Sequence, residues 1–176
     1  MKKIFTLPTW VVAIFLISPI FFVPSILGLA LLIIWETLLT VCIYSLGNNL
    51  YKKLPPNHNL KLERFHIFLF FILVYTLACM IIFKGGYDIN QDTYQDYGWG
   101  VYVLVPLHIF LIYCMFYILR FLAKAIATIE YNGNVLFGEY VGYIFLFFFF
   151  PIGIWIMHPK IRKILTSTEN RTEDAG

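Results

Sequence analysis

The stretch "GEYVGYIFLFFFFPIGIWIMHPKIRKIL", residues 138–165, decides the fold. Tyr140 to Met157 carries no charge, a length near the ~20 apolar residues that a helix needs to cross a bilayer. Pro151 and Gly153 interrupt it. A proline inside a helix removes a backbone hydrogen bond, and a glycine next to it permits a sharp turn. The segment therefore reads either as a fifth crossing or as an element that dips in and returns at Pro151 and Gly153. A crossing would place Lys160, Arg162, Lys163 and Arg171 on the outer side. A return keeps all of the 13 basic residues except Lys84 on one side. Basic residues favour the cytoplasmic face, so the charge pattern prefers the return.

Working outward, the chain has 176 residues, of which 60% are hydrophobic, 19% aromatic and 13% charged. Its mean hydropathy is +0.78. Such a composition, arranged in long apolar runs, belongs in lipid and argues against a soluble domain. Four more apolar segments are expected as helices, at about 7–23, 25–46, 61–83 and 99–119, the last extended to 131. Pro24 suits a helix start, and Gly47-Asn48-Asn49 and Gly85-Gly86 suit helix ends. The opening "MKKIFTLPTWVVAIFLISPIFF" has the lysines of a signal peptide without a small-x-small cleavage site, so it is expected to remain as the first helix.

The expected fold is an all-α integral membrane domain over residues 1–165. It has four transmembrane helices plus a Pro/Gly-broken re-entrant or short fifth element at 137–157, and a disordered tail at 166–176. Lys52, Lys53, Lys61 and Arg64 mark the cytoplasmic loop, and Asp88, Asp92 and Asp96 the outer one. Both termini are then cytoplasmic.

"IYSLGNNLYKKLP" at 43–55, "PLHIFLIYCMFYILRFLAKAI" at 106–126 and the stretch at 138–165 together resemble a family of small bacterial multipass membrane proteins of uncharacterised function. The resemblance covers most of the chain from Ile26 onward, and "FFPIGIW" is its most specific element. It implies a multipass fold in the bacterial inner membrane and no particular activity.

Candidate chemistry is sparse. Glu36 is the only carboxylate near the middle of an expected crossing, where an ionisable group is by default a functional hypothesis. His108 is placed within roughly 3 Å of the same depth, counting ~1.5 Å per residue from each helix start. A Glu36–His108 pair could relay protons, line an ion path or lock two helices. Alternatively Glu36 is protonated, or bonds Thr37 or Thr40.

"HIFL" occurs at both 66–69 and 108–111, but the expected depths of the two histidines differ, and coincidence in a Phe/Ile/Leu-rich chain is the better account. Asp88, Asn90 and Asp92 imitate the opening of a calcium loop, yet Thr93 and Trp99 stand where glycine and glutamate belong. An acidic turn with Tyr87, Tyr94, Tyr97 and Trp99 at the interface explains them better.

Lys52, Lys53, Lys160, Arg162 and Lys163 are expected to contact anionic lipid headgroups, with His158 beside them at the interface. Cys42, Cys79 and Cys114 lack metal or disulfide spacing. HExxH, G-x-S-x-G and P-loop patterns do not occur, and no catalytic residue, cofactor, metal or nucleic-acid partner is expected. Asn170 in "NRT" fits a glycosylation acceptor, but its expected side is cytoplasmic. The expectation is a non-enzymatic inner-membrane component: an oligomeric pore, or a sensing or accessory subunit with a membrane or cytoplasmic protein partner. The competing reading is a small ion or solute transporter built on Glu36 and His108.

Overall fold

The computed structural model describes residues 26–82 and 100–166. These form five helices: α1 (Ile26–Tyr51), α2 (Leu62–Ile82), α3 (Gly100–Tyr131), α4 (Phe137–Phe148) and α5 (Phe150–Thr166). Three of them are long and apolar enough to cross a membrane, and α4 is a shorter apolar helix. This is a helical membrane protein. The first helix expected at 7–23, the acidic loop and the residues after 166 lie outside the described residues.

Burial concentrates at one end of the bundle, here called the basic end because Lys52, Lys53, Lys61 and Arg64 lie there. Phe65 is fully buried and stacks on Phe121, with ring centroids 4.5 Å apart. On its other side it meets α1 at Gly47, where a Cβ would come within 2.4 Å of the Phe65 ring. Leu46, Leu50, Leu69, Ile118 and Leu122 close the core around it. Toward the far end the apolar side chains are exposed, as at Ile34, Ile82, Tyr102 and Ile109.

Gly47-Asn48-Asn49 does not end α1, contrary to the sequence expectation; the helix runs on to Tyr51. The glycine serves the close approach of Phe65. Each asparagine satisfies its amide within the helix: Asn48 Nδ2 donates to the Tyr44 carbonyl (2.9 Å), and Asn49 Nδ2 to the Ser45 hydroxyl (3.3 Å). Such i−4 back-bonding removes the usual reason for asparagine to stop a helix. The stop comes instead through a turn in which the Lys53 and Leu54 N–H groups bond the Leu50 and Tyr51 carbonyls.

α3 ends where the sequence places it. Asn132 takes a left-handed conformation (φ 49°), and the Gly133 N–H bonds the Thr128 carbonyl at 3.3 Å. Asparagine tolerates that region better than other non-glycine residues.

Six residues after α3, α4 begins, its first turn secured by Glu139, whose carboxylate accepts from the Leu136 N–H at 2.6 Å. α4 then climbs back along α3. Tyr140 packs with Ala123 and Ala127, and Phe148 stacks near Phe116. The chain breaks at Phe149 (φ −85°, ψ 55°) and α5 starts at once.

Pro151 lies in the first turn of α5, where its missing N–H has no intrahelical partner to lose. The helix interior expected for it is not where it sits. The fold-back itself rests on Gly153: a Cβ there would stand 1.6 Å from the Leu146 carbonyl oxygen. α4 and α5 are thus a helical hairpin whose Met157 and Ile161 return into the basic-end core.

Two lysines staple the hairpin. Lys53 donates to the last carbonyls of α5, Ile164 at 2.6 Å and Leu165 at 2.9 Å. Lys160 forms a salt bridge with Glu130 at 2.8 Å, donates to the Tyr143 hydroxyl at 2.5 Å, and lies 4.5 Å from the Tyr143 ring centre. Tyr143 in turn donates to Glu130. Lys53 and Lys160, expected at lipid headgroups, are both held by protein groups. Lys52, Arg162 and Lys163 remain on the surface.

Gly153→Ala should destabilise the protein by more than the ~1–3 kcal/mol of ordinary overpacking, because the obstacle is backbone. Gly142→Ala, with open space around it, should cost nothing measurable. Thermal unfolding in detergent compares the two. By the same assay Lys53→Ala should lose about 1 kcal/mol, and Lys52→Ala should stay within about 0.5 kcal/mol of the parent.

Candidate functional site

Glu36, Tyr75, Thr76 and His108 gather in one layer of the candidate spans. Counting ~1.5 Å per residue, Thr76 lies ~16 Å beyond Phe65 along α2. Glu36 stands ~16 Å from Gly47 along α1, and His108 ~20 Å from Phe121 along α3. The shared depth expected for Glu36 and His108 is present. No hydrogen bond joins the two; each has another partner.

Glu36 Oε1 accepts from the Thr76 hydroxyl at 3.2 Å, bridging α1 to α2. Neither Thr37 nor Thr40 takes that place; Thr37 turns back to the Ile33 carbonyl at 2.8 Å. Thr76 has one hydroxyl proton but also lies 2.8 Å from the Ile72 carbonyl and 3.2 Å from the Leu73 carbonyl. Three acceptors thus compete for that proton.

On the α3 side of α2, the Tyr75 hydroxyl lies 2.6 Å from His108 Nδ1, with the rings edge-on. Nδ1 also lies 3.1 Å from the Leu104 carbonyl. One nitrogen cannot accept from Tyr75 and donate to Leu104 at once. The shorter tyrosine contact assigns Nδ1 as acceptor and the ring proton to Nε2. Pro106, inside α3 just before His108, removes a backbone donor from the same turn.

Glu36 and His108 thus engage consecutive residues of α2. Consecutive side chains on a helix point ~100° apart, so Thr76 faces α1 while Tyr75 faces α3. The two histidines of the HIFL stretches have unlike surroundings. His66 bonds Asn48 Oδ1 at 3.2 Å and packs on the Tyr44 ring, whereas His108 meets Tyr75.

At the basic end His158 is buried, not interfacial as its sequence neighbours suggested. Burial, helped by Arg162, pushes its pKa below the ordinary histidine value, so the ring is neutral at pH 7. Burial also opposes the charge on Lys160, but its bonds to Glu130 and Tyr143 prevail and raise its pKa. Among the described residues no three His, Cys, Asp or Glu side chains are grouped to hold a metal ion. The cysteines are all free thiols.

Tyr75 and Thr76 were not singled out in the sequence. Their signal was available: polar groups in α2 at the same distance from the basic end as Glu36 and His108. No family model matches the chain, and searches of curated proteins and of solved structures return no match.

Double-mutant cycles on detergent-solubilised protein test the arrangement. Glu36→Gln with Thr76→Val, and Tyr75→Phe with His108→Ala, should each show coupling of roughly 0.6 kcal/mol. Glu36→Gln with His108→Ala should be additive within about 0.3–0.5 kcal/mol.

Proposed function

We propose that the protein is a component of a bacterial inner membrane that works by assembly. It acts with copies of itself as an oligomeric pore, or with a partner protein as a sensing or accessory subunit, and not as an enzyme. In this reading segment 7–23 and α1, α2 and α3 make four crossings, and the α4–α5 hairpin is re-entrant, entering and leaving from the basic end. The charge bias places that end, and both termini, in the cytoplasm.

The observation that carries the reading is Glu36. This carboxyl lies near mid-depth, only partly buried among the described residues, with its one bond from a hydroxyl that has two other acceptors. An acidic group at a helix centre costs roughly 2.5–3.5 kcal/mol on insertion scales. Apposing polar surface from another subunit would lower that cost. As a neutral acid Glu36 would give its own O–H to Thr76 and let Thr76 keep its bond to Ile72.

The second reading, a small ion or solute transporter, draws on the placement of Glu36 and His108 in one layer on either side of α2. Its difficulty is that each group is occupied in a separate helix-to-helix bond.

Cross-linking in native membranes separates the readings. Assembly predicts cross-linked species larger than one chain, retained by Glu36→Gln and lost in Glu36→Leu. A monomeric chain whose cation flux in proteoliposomes disappears with Glu36→Gln would overturn it in favour of transport. The topology is tested by cysteines introduced at Gly86 and Ala175. The first should label only from outside and the second only from inside; labelling of both from outside would make α4–α5 a full crossing.

A further inference from the structure

One face of the α2–α3 pair has a distinct construction. The Phe65–Phe121 stack sets the register of two antiparallel helices, and Arg64 and Arg120 directly precede the stacked residues. Both arginines therefore come to one level at the basic end. The preceding position lies on the same side of both helices, because reversing a helix while exchanging it with its partner preserves that side. The side chains agree: Arg64 and Arg120 both lie within electrostatic reach of the Tyr117 hydroxyl.

Away from the basic end the same face continues as a row of aromatic rings. Phe68, one turn beyond Arg64, receives the edges of Tyr117, Tyr113 and Phe110, at centroid distances of 4.7, 5.8 and 6.2 Å. Tyr113 and Phe110 are exposed.

Both arginines are exposed, and among the described residues neither is bridged to a carboxylate. Arg120 donates from Nε to the Tyr140 hydroxyl at 3.2 Å. That bond orients the guanidinium and leaves its terminal nitrogens for another acceptor. A group accepting from both guanidinium groups at once would offset the like charge that the register brings to one level. A phosphate diester does so with geometry that guanidinium groups match. The row of rings running from the arginines toward mid-membrane is apolar and of acyl-chain character. Charge at one end and apolar surface along the rest are the complement of one molecule.

We infer that the α2–α3 face binds an anionic phospholipid, its phosphate held between Arg64 and Arg120 with Tyr117, and one acyl chain lying along Phe68, Tyr113 and Phe110. The site is separate from the exposed Lys52, Arg162 and Lys163. It is independent of the assembly reading and needs only the membrane setting.

Native mass spectrometry of the full chain, titrated with dioleoyl phosphatidylglycerol and separately with the zwitterionic phosphatidylcholine, tests the inference. Phosphatidylglycerol should be retained preferentially, and R64Q/R120Q should weaken that retention about tenfold or more. Phe68→Ala should weaken both lipids, and inorganic phosphate should not compete at concentrations matching the lipid.

A second measurement uses the unaltered protein. Phosphatidylglycerol carrying a photoreactive acyl chain should cross-link to peptides within 64–71 and 110–120. Equal retention of the two lipids, or cross-links confined to other helices, would overturn the proposal. Competition by inorganic phosphate would reduce the site to a bare anion contact and overturn the lipid assignment. If the double variant does not fold, the cross-link map decides alone.

Discussion

The Phe65 ring, held between Gly47 and Phe121, is the contact on which the bundle depends. It fixes how closely α1 approaches α2, and it sets the register of α2 against α3. In lipid the apolar faces of helices gain little from meeting each other, so association relies on close packing and hydrogen bonds. A glycine opposite a large ring supplies the packing at the basic end. The Glu36–Thr76 and Tyr75–His108 bonds supply the polar part a few turns away. The register set by the rings brings those pairs to one level, which makes the two layers a single construction.

The hairpin depends on that core in a different way. Met157 and Ile161 enter a surface assembled from α1, α2 and α3, while Lys53 and Lys160 tie its returning helix to the loop after α1 and to the end of α3. The lysines lie among groups that satisfy them: exposed carbonyls at a helix terminus for one, and a carboxylate with a phenol for the other. Charged groups that would otherwise seek water or headgroups therefore bind the last two helices to the rest.

Much of this architecture was legible in the sequence. The three long helices follow from runs of apolar residues, the third of them expected to extend to 131. The break in the last segment is expected at Pro151 and Gly153 and falls at Phe149, just before them. What could not be read was direction around each helix axis. Counting residues suggests that Glu36 and His108 share a level, and both meet consecutive residues of α2. It could not reveal that α2 stands between them with Thr76 and Tyr75, since azimuth depends on how neighbouring helices are arranged.

Gly47-Asn48-Asn49 misled for a related reason. Composition suggested a stop, but the glycine answers to a ring on another helix and the asparagines to their own preceding turn. The partners of Lys53 are not legible in the sequence because they are backbone carbonyls, which every residue possesses.

The turn at Phe149 has a consequence for how the protein is made. In the proposed topology α4 and α5 begin and end at the cytoplasmic end of the bundle, so Lys160, Arg162 and Lys163 need not be carried through the bilayer during synthesis. The hairpin also needs no translocation signal of its own, only a surface to land on. That surface contains Leu50, Phe65 and Phe121, one from each of three helices that emerge earlier from the ribosome. In that topology the hairpin docks after the long helices have associated, because their side chains form the surface it packs on.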